Sequence, residues 1–243
     1  MQLAVSHDIR NGFMGEALKY GFDKLFPQPT KPEWLSLVCF GPTLHDTWKD
    51  IKRPIMTCSG AHNFLVERGI VPDYHIECDP RPHKVVTTAK PQRDCLYVMA
   101  SCCDPRTWQN LSGYRVLMWH MDNGKETRDW ISEHDPWSLV VGAGSTVGLR
   151  ALHIAGLLGY RKFDIHGMDG NYIGDAFRAG DIGSPPQNVV KYKIAGRRFR
   201  TTDMMVNAMV EFRAATKLYP IECRLHGDGM IRAYMNWFAN GGW

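Results

Sequence analysis

The chain has 243 residues, 44% of them hydrophobic, enough to bury one large core. Its 29 basic and 25 acidic residues leave a net charge of +4, too mild to mark a dedicated polyanion surface, so nucleic acid is neither indicated nor excluded as a partner. Seven cysteines, an odd number with no CxxC pair and mostly inside apolar runs, argue against a zinc site or a disulfide framework and read as buried thiols in a reducing compartment.

The N-terminal MQLAVSHDIRNGF has no long apolar core, and no run approaches the ~18 apolar residues of a spanning helix. A soluble, cytoplasmic protein with no membrane partner is therefore expected. Residues 12–26 place Met14, Leu18, Phe22 and Phe26 at helical intervals, and PQPTKPEW follows as a linker. This divides the chain into an N-terminal helix and linker, 1–32, and one Rossmann-like α/β domain, 33–243.

From residue 35 strand-like and helix-like runs alternate: strand 35–40, helix 43–51, strand 54–58, helix 60–68, strand 73–78. CLYVMA (95–100) continues the series. Asp104-Pro105 then starts a helix, YRVLMWH (114–120) forms a strand, and GKETRDWISEH forms a polar helix. After DPWSLVV, the segment GAGSTVGLRALHIAGLLGY reads as a buried helix, and KFDIHGMDG (162–170) as a strand ending in a polar turn. Residues 171–190, rich in Gly, Pro and Asn, read as a long lid-like loop; VVKYKIAGRRFRTT is a hairpin around Ala195-Gly196, followed by a helix over 202–218 and the strand PIECRL. The alternation predicts a mainly parallel sheet flanked by helices, whose ligands bind at the C-terminal strand ends.

Candidate chemistry gathers at those ends. Gly41-Pro42-Thr43 and Gly142-Ala143-Gly144-Ser145-Thr146 each stand between a strand and a helix, where free backbone N–H groups favour phosphate; the alternatives are ordinary turn punctuation and, for Ser145, a plain N-cap. Neither matches a Walker loop or GxGxxG with a ribose-binding acid. Glu77 and Asp79 alternate along one strand and point the same way, a geometry suited to Mg²⁺; alternatively Asp79 caps a helix starting near Pro80 and Glu77 pairs with Arg81. Asp169 and His166 end a later strand and are candidate catalytic groups beside Asp79, with a turn residue and a satisfied strand-end histidine as the alternatives. Ser59, Gly60, His62 and Asn63 open a helix within reach of a base or sugar, and Arg178, Arg197, Arg198 and Arg200 are candidate phosphate clamps.

At these residues the chain resembles the 6-hydroxymethylpterin diphosphokinase MptE-like family, whose wider circle includes flagellar motility accessory factors and, more distantly, bacterial sialyltransferases. The resemblance covers residues 35–232. It rests on CFGPTL, with Thr43 where family members carry Ser; on SGAHNFLVERGIVPDYHIECDPRP; and on GAGSTVGLRALHIAGLLGYRKFDIHGMDG. For diphosphokinase members it implies Mg²⁺ held by an acidic cluster, which here reads Glu-Cys-Asp instead of paired aspartates. Sialyltransferase-like members place a catalytic His after the Gly-x-Asp phrase, and residues 171–200 contain none.

These readings together predict a nucleotide-dependent transferase, most like a Mg²⁺-dependent diphosphokinase moving diphosphate from ATP to a small hydroxymethyl acceptor. The alternatives are a glycosyltransferase using a nucleotide-activated sugar, with Asp169 or His166 near the acceptor, and a non-catalytic nucleotide-binding module. The partners expected are a nucleotide donor and an acceptor of unspecified kind; a homo-oligomer is left open.

Overall fold

The computed structural model describes residues 5–142, 144–182 and 188–242. Helix α1 (His7–Leu18) leads into a two-residue strand β1 (Asp23–Lys24), then β2 (Trp34–Val38), α2 (Leu44–Thr47), β3 (Ile55–Cys58), α3 (Ala61–Val66) and β4 (Tyr74–Glu77). A 3₁₀ segment, Pro82–Thr88, precedes β5 (Leu96–Ala100), α4 (Pro105–Asn110), β6 (Val116–Met121), α5 (Lys125–His134) and β7 (Val140–Val141). The chain continues with α6 (Val147–Leu157), β8 (Lys162–His166), the hairpin β9 (Val190–Ile194) and β10 (Arg197–Thr201), α7 (Asp203–Leu218), β11 (Glu222–Leu225) and α8 (Met230–Ala239).

Among the described residues the main sheet has nine strands in the order β1-β6-β5-β4-β3-β2-β8-β11, with β7 added beside β6. Every pairing within it is parallel. The central strands β2 to β5 are buried almost end to end, as strands covered by helices on both faces must be, and this explains their unbroken apolar runs. The α/β fold with a mainly parallel, helix-flanked sheet is thus the one the alternation predicts.

From β2 the chain steps outward through β3, β4, β5 and β6, then crosses back over α6 to β8 on the other side of β2. The connections leaving β2 and β8 therefore diverge, which opens a crevice at the carboxyl ends of those two strands. The ladder between them runs on past the strands: Cys39 N donates to His166 O and Gly41 N to Gly167 O, each at 2.8 Å. The crevice thus starts from a rigid base.

The N-terminal segment contributes to this same sheet and core. Met14, Ala17 and Leu25 are fully buried in the main apolar cluster, and β1 pairs with β6 through Asp23↔Leu117 and Lys24↔Met118. The hairpin forms at Ala195-Gly196, both with positive φ as a two-residue turn requires. Of the expected lid-like loop, 171–182 lies across the C-terminal edge of the sheet: Tyr172 N donates to Arg200 O and Ala179 N to Phe40 O. Residues 183–187 of that loop, and Ala143, lie outside the described residues. No described helix is long and apolar enough to cross a membrane.

Candidate functional site

The turns after β2, β4, β7 and β8 converge. Gly41, Asp79, Ser145 with Thr146, and Asp169 all line one cleft of about 410 Å³ at the switch point. Its floor carries Cys39, Cys58 and Cys78. Burial pushes the Cys58 and Cys78 thiols up, so they act there as small apolar groups. Phe177 and Arg178 reach in from the loop, and Met205 and Ala208 from α7.

The two junctions expected to bind phosphate are each filled by an internal carboxylate. Thr43 donates its amide to Oδ2 of Asp169 at 2.9 Å and its hydroxyl to Oδ1 at 2.5 Å. At the other junction Ser145 N donates to Oε2 of Glu211 at 2.8 Å, and Thr146, not Ser145, is the N-cap of α6, accepting from Leu149 N. The physical preference for an anion at these turns is real, but the protein supplies the anion itself. Pro42, Thr43, Gly60 and Gly144 are not among the cleft-lining residues, and Gly142 lines a separate groove beside α6.

Glu77 and Asp79 do lie at one strand end, and each already has a cation. Asp79 accepts a two-pronged bond from Arg81, with Nε at 2.9 Å from both oxygens. Burial raises its carboxyl, but the Arg81 hydrogen bonds and the Lys84 charge outweigh that and hold it below the usual range. Glu77 is fully buried; Oε1 accepts from the amides of Cys78 and Asp79, and burial raises its carboxyl against the opposing pull of Lys84. The Lys84 ammonium stands 4.0 Å from both Glu77 Oε2 and Asp79 Oδ2. A Mg²⁺ ion here would have to displace Arg81 and sit against an ammonium, so the pair as arranged does not fit the metal site that the sequence suggests. Among the described residues no group of three or more His, Cys, Asp and Glu side chains is placed to hold a metal.

The other expected site residues fall elsewhere. Alternation along β8 puts His166 on the face of Asp164, away from the cleft: its ring stacks on His226 at 4.2 Å between centroids, and neither ring nitrogen has a hydrogen-bond partner. Burial, with the neighbouring His226, lowers its pKa to about 4. It packs as a ring outside the cleft, so the structure does not bring it beside Asp79 and Asp169. His62 is buried under α3, with Nε2 3.1 Å from the Tyr97 hydroxyl, and Asn63 donates to Val86 O, so neither faces the cleft. Arg197 pairs with Asp228 and Arg200 with Asp175 on the outside of the hairpin.

What the sequence does not reveal is that two arginines join Ser145, already a phosphate-binding candidate, as donors without partners. Arg10 from α1, Arg150 from α6 and Ser145 line the cleft, and Arg10 Nη1, Arg150 Nη1 and Ser145 Oγ are buried atoms without a hydrogen-bond partner. With Arg81, Lys84 and Arg178 the cleft holds five cations, against Asp79 and Asp169 on its wall and Glu77 beneath. Unpaired buried donors and a positive balance suit an anionic ligand with several oxygens.

A parallel switch-point sheet with a basic cleft at its carboxyl edge defines a Rossmann-like α/β protein. The chain belongs to the 6-hydroxymethylpterin diphosphokinase MptE-like family, whose sequence profile matches residues 14–175. Among solved structures it is similar to the MAf glycosyltransferase from Magnetospirillum magneticum AMB-1, at a TM-score of 0.65 and 17% identity over 98% of this chain and 42% of that one. The chain thus spans less than half the length of that protein. A thiamine pyrophosphokinase from Bacillus subtilis aligns at a TM-score of 0.33 and 13% identity, over 80% of this chain and 60% of that one. No curated protein matches.

Proposed function

We propose that the chain is a transferase whose donor is a nucleotide-linked anion bound in the switch-point cleft. The observation that carries this reading is the set of partnerless buried donors, Arg10 Nη1, Arg150 Nη1 and Ser145 Oγ, on residues that line the same cleft as the strand-end turns. Its chemistry is positioning and charge neutralisation: the cations hold the phosphates and offset the charge left on them as the transferred group departs.

Diphosphate transfer from ATP concentrates charge on three phosphates and relies on Mg²⁺. When a nucleotide-activated sugar gives up its glycosyl group, by contrast, the departing nucleotide can be stabilised by protein cations alone. Because Glu77 and Asp79 are already paired with Lys84 and Arg81, glycosyl transfer from a nucleotide sugar is the reading the geometry supports better. One observation favours the diphosphokinase: Glu77 Oε2 is buried without a hydrogen-bond partner, the state of a carboxylate oxygen awaiting a ligand.

A thermal-shift panel of ATP, CMP- and UDP-sugars, each with Mg²⁺ or with EDTA, tests the choice, since a ligand that binds only the folded state raises the melting temperature. The expected result is stabilisation by a nucleotide sugar that EDTA does not remove, in the wild type and in Asp79→Asn alike. Stabilisation by ATP only in the presence of Mg²⁺, lost in Asp79→Asn, points to the diphosphokinase instead. No shift with any nucleotide rejects both.

A further inference from the structure

Lys84 is the least expected side chain in the cleft. It sits in the 3₁₀ segment Pro82–Thr88, which folds back across the ends of β3 and β4 and leaves it only 7% exposed. Its Nζ donates to Ser59 Oγ at 2.6 Å. Ser59 holds its hydroxyl there from a backbone with φ of +52°, a conformation rare outside glycine, at the sharp turn between β3 and α3.

An ammonium has three N–H donors, and one goes to Ser59. The two carboxylate oxygens stand 4.0 Å away, beyond hydrogen-bonding distance, so they balance its charge without taking its remaining donors. A buried ammonium with donors to spare, on the wall of a cleft that also holds open guanidinium nitrogens, is built to receive an oxyanion.

We infer that Lys84 takes the place of a divalent cation in this family member: its ammonium, aimed by Ser59, binds the phosphate oxygens of the donor that become the leaving group. The inference rests on the donor-binding reading above and goes further in naming the residue and the subsite. It also gives the Glu-Cys-Asp sequence a purpose. Glu77 and Asp79 lie beside the charges of a lysine and an arginine in the cleft where paired aspartates would hold a metal.

Calorimetry with inorganic pyrophosphate in excess EDTA tests this directly. The wild type is expected to bind, and Glu77→Gln, which removes the candidate metal ligand but keeps the ammonium, to bind at least as tightly. The double variant Lys84→Met/Glu77→Gln, which removes both members of the buried pair and leaves neither charge alone, is expected to bind about 10- to 100-fold more weakly. Ser59→Ala, a milder change that serves if the double variant does not fold, should bind several-fold more weakly. Three outcomes overturn the inference: no binding by the wild type in EDTA, binding that needs Mg²⁺ and is lost in Glu77→Gln, or equal affinity in all variants. The last of these leaves the donor-binding reading standing, because the nucleotide panel tests that separately.

Discussion

Thr43 grips Asp169 by both carboxylate oxygens, and the two residues, 126 positions apart, tie the turn after β2 to the turn after β8. Burial pushes the Asp169 carboxyl up, and the two Thr43 hydrogen bonds pull it back toward the charged form. The clamp therefore ties together two turns that line the cleft at Gly41 and Asp169.

Thr43→Val removes the hydroxyl and leaves Asp169 Oδ1 buried without its partner. Such a loss costs about 1–3 kcal/mol, and Thr43→Ser should recover most of it. Urea unfolding of the three proteins measures the difference. Equal stability in Thr43→Val and the wild type would mean that the clamp contributes nothing.

Gly41 lies against the same clamp. A Cβ there would run into the Asp169 carboxylate and stand 2.5 Å from Gly167 O, which is backbone and cannot swing aside. Gly41→Ala should cost about 1–3 kcal/mol of stability and weaken nucleotide binding together, because relief requires the two turns to part. A variant that melts like the wild type but binds normally would show that the turns can separate freely.

How far the sequence carries can be read from these same residues. The central strands were legible because burial on both faces demands continuous apolar runs, and IMTC or LYVMA leave no other reading. Strand β1 was not, since Asp23-Lys24 carries no apolar pattern and pairs only because β6 lies beside it. Helix α8 follows a Gly-Asp-Gly break with no side-chain cap to announce its start. The site was legible as a place but not as a chemistry. A Gly-Pro-Thr turn looks the same whether its amides meet a ligand or a carboxylate 126 residues away, and nothing in PHKVV announces that its lysine is buried. His166 stands off the cleft through strand parity, which the pattern F-D-I-H does contain: Asp164 and His166 share the face opposite Phe163 and Ile165.

That histidine gives a pH prediction. With its folded pKa near 4 and its ordinary value at 6.5, His166 stays neutral in the fold while the unfolded chain takes up a proton. Its contribution to stability is present above pH 6.5 and is lost as pH falls toward 4. His166→Phe keeps a flat ring against His226 without the titration, so its urea midpoint should fall less steeply than that of the wild type between pH 6.5 and 4. His62 and His75, also lowered by burial, keep some slope in both proteins. Parallel pH profiles would remove His166 from the acid response.

Arg150 offers the clearest test of the cleft's charge. It projects from α6 with Nη1 buried and unpartnered, so its removal breaks no hydrogen bond of that atom and takes away a cation at the ligand's position. Arg150→Ala should therefore unfold like the wild type yet bind a nucleotide ligand about 10- to 100-fold more weakly, the worth of a hydrogen bond to a charged group. Raising the salt from 0.05 to 0.5 M should weaken wild-type binding more than that of the variant, since screening acts on the charge the variant has already lost. Calorimetric titrations at the two salt concentrations separate these effects. Binding that ignores both the substitution and the salt would place the ligand somewhere other than between Arg10, Arg150 and Lys84.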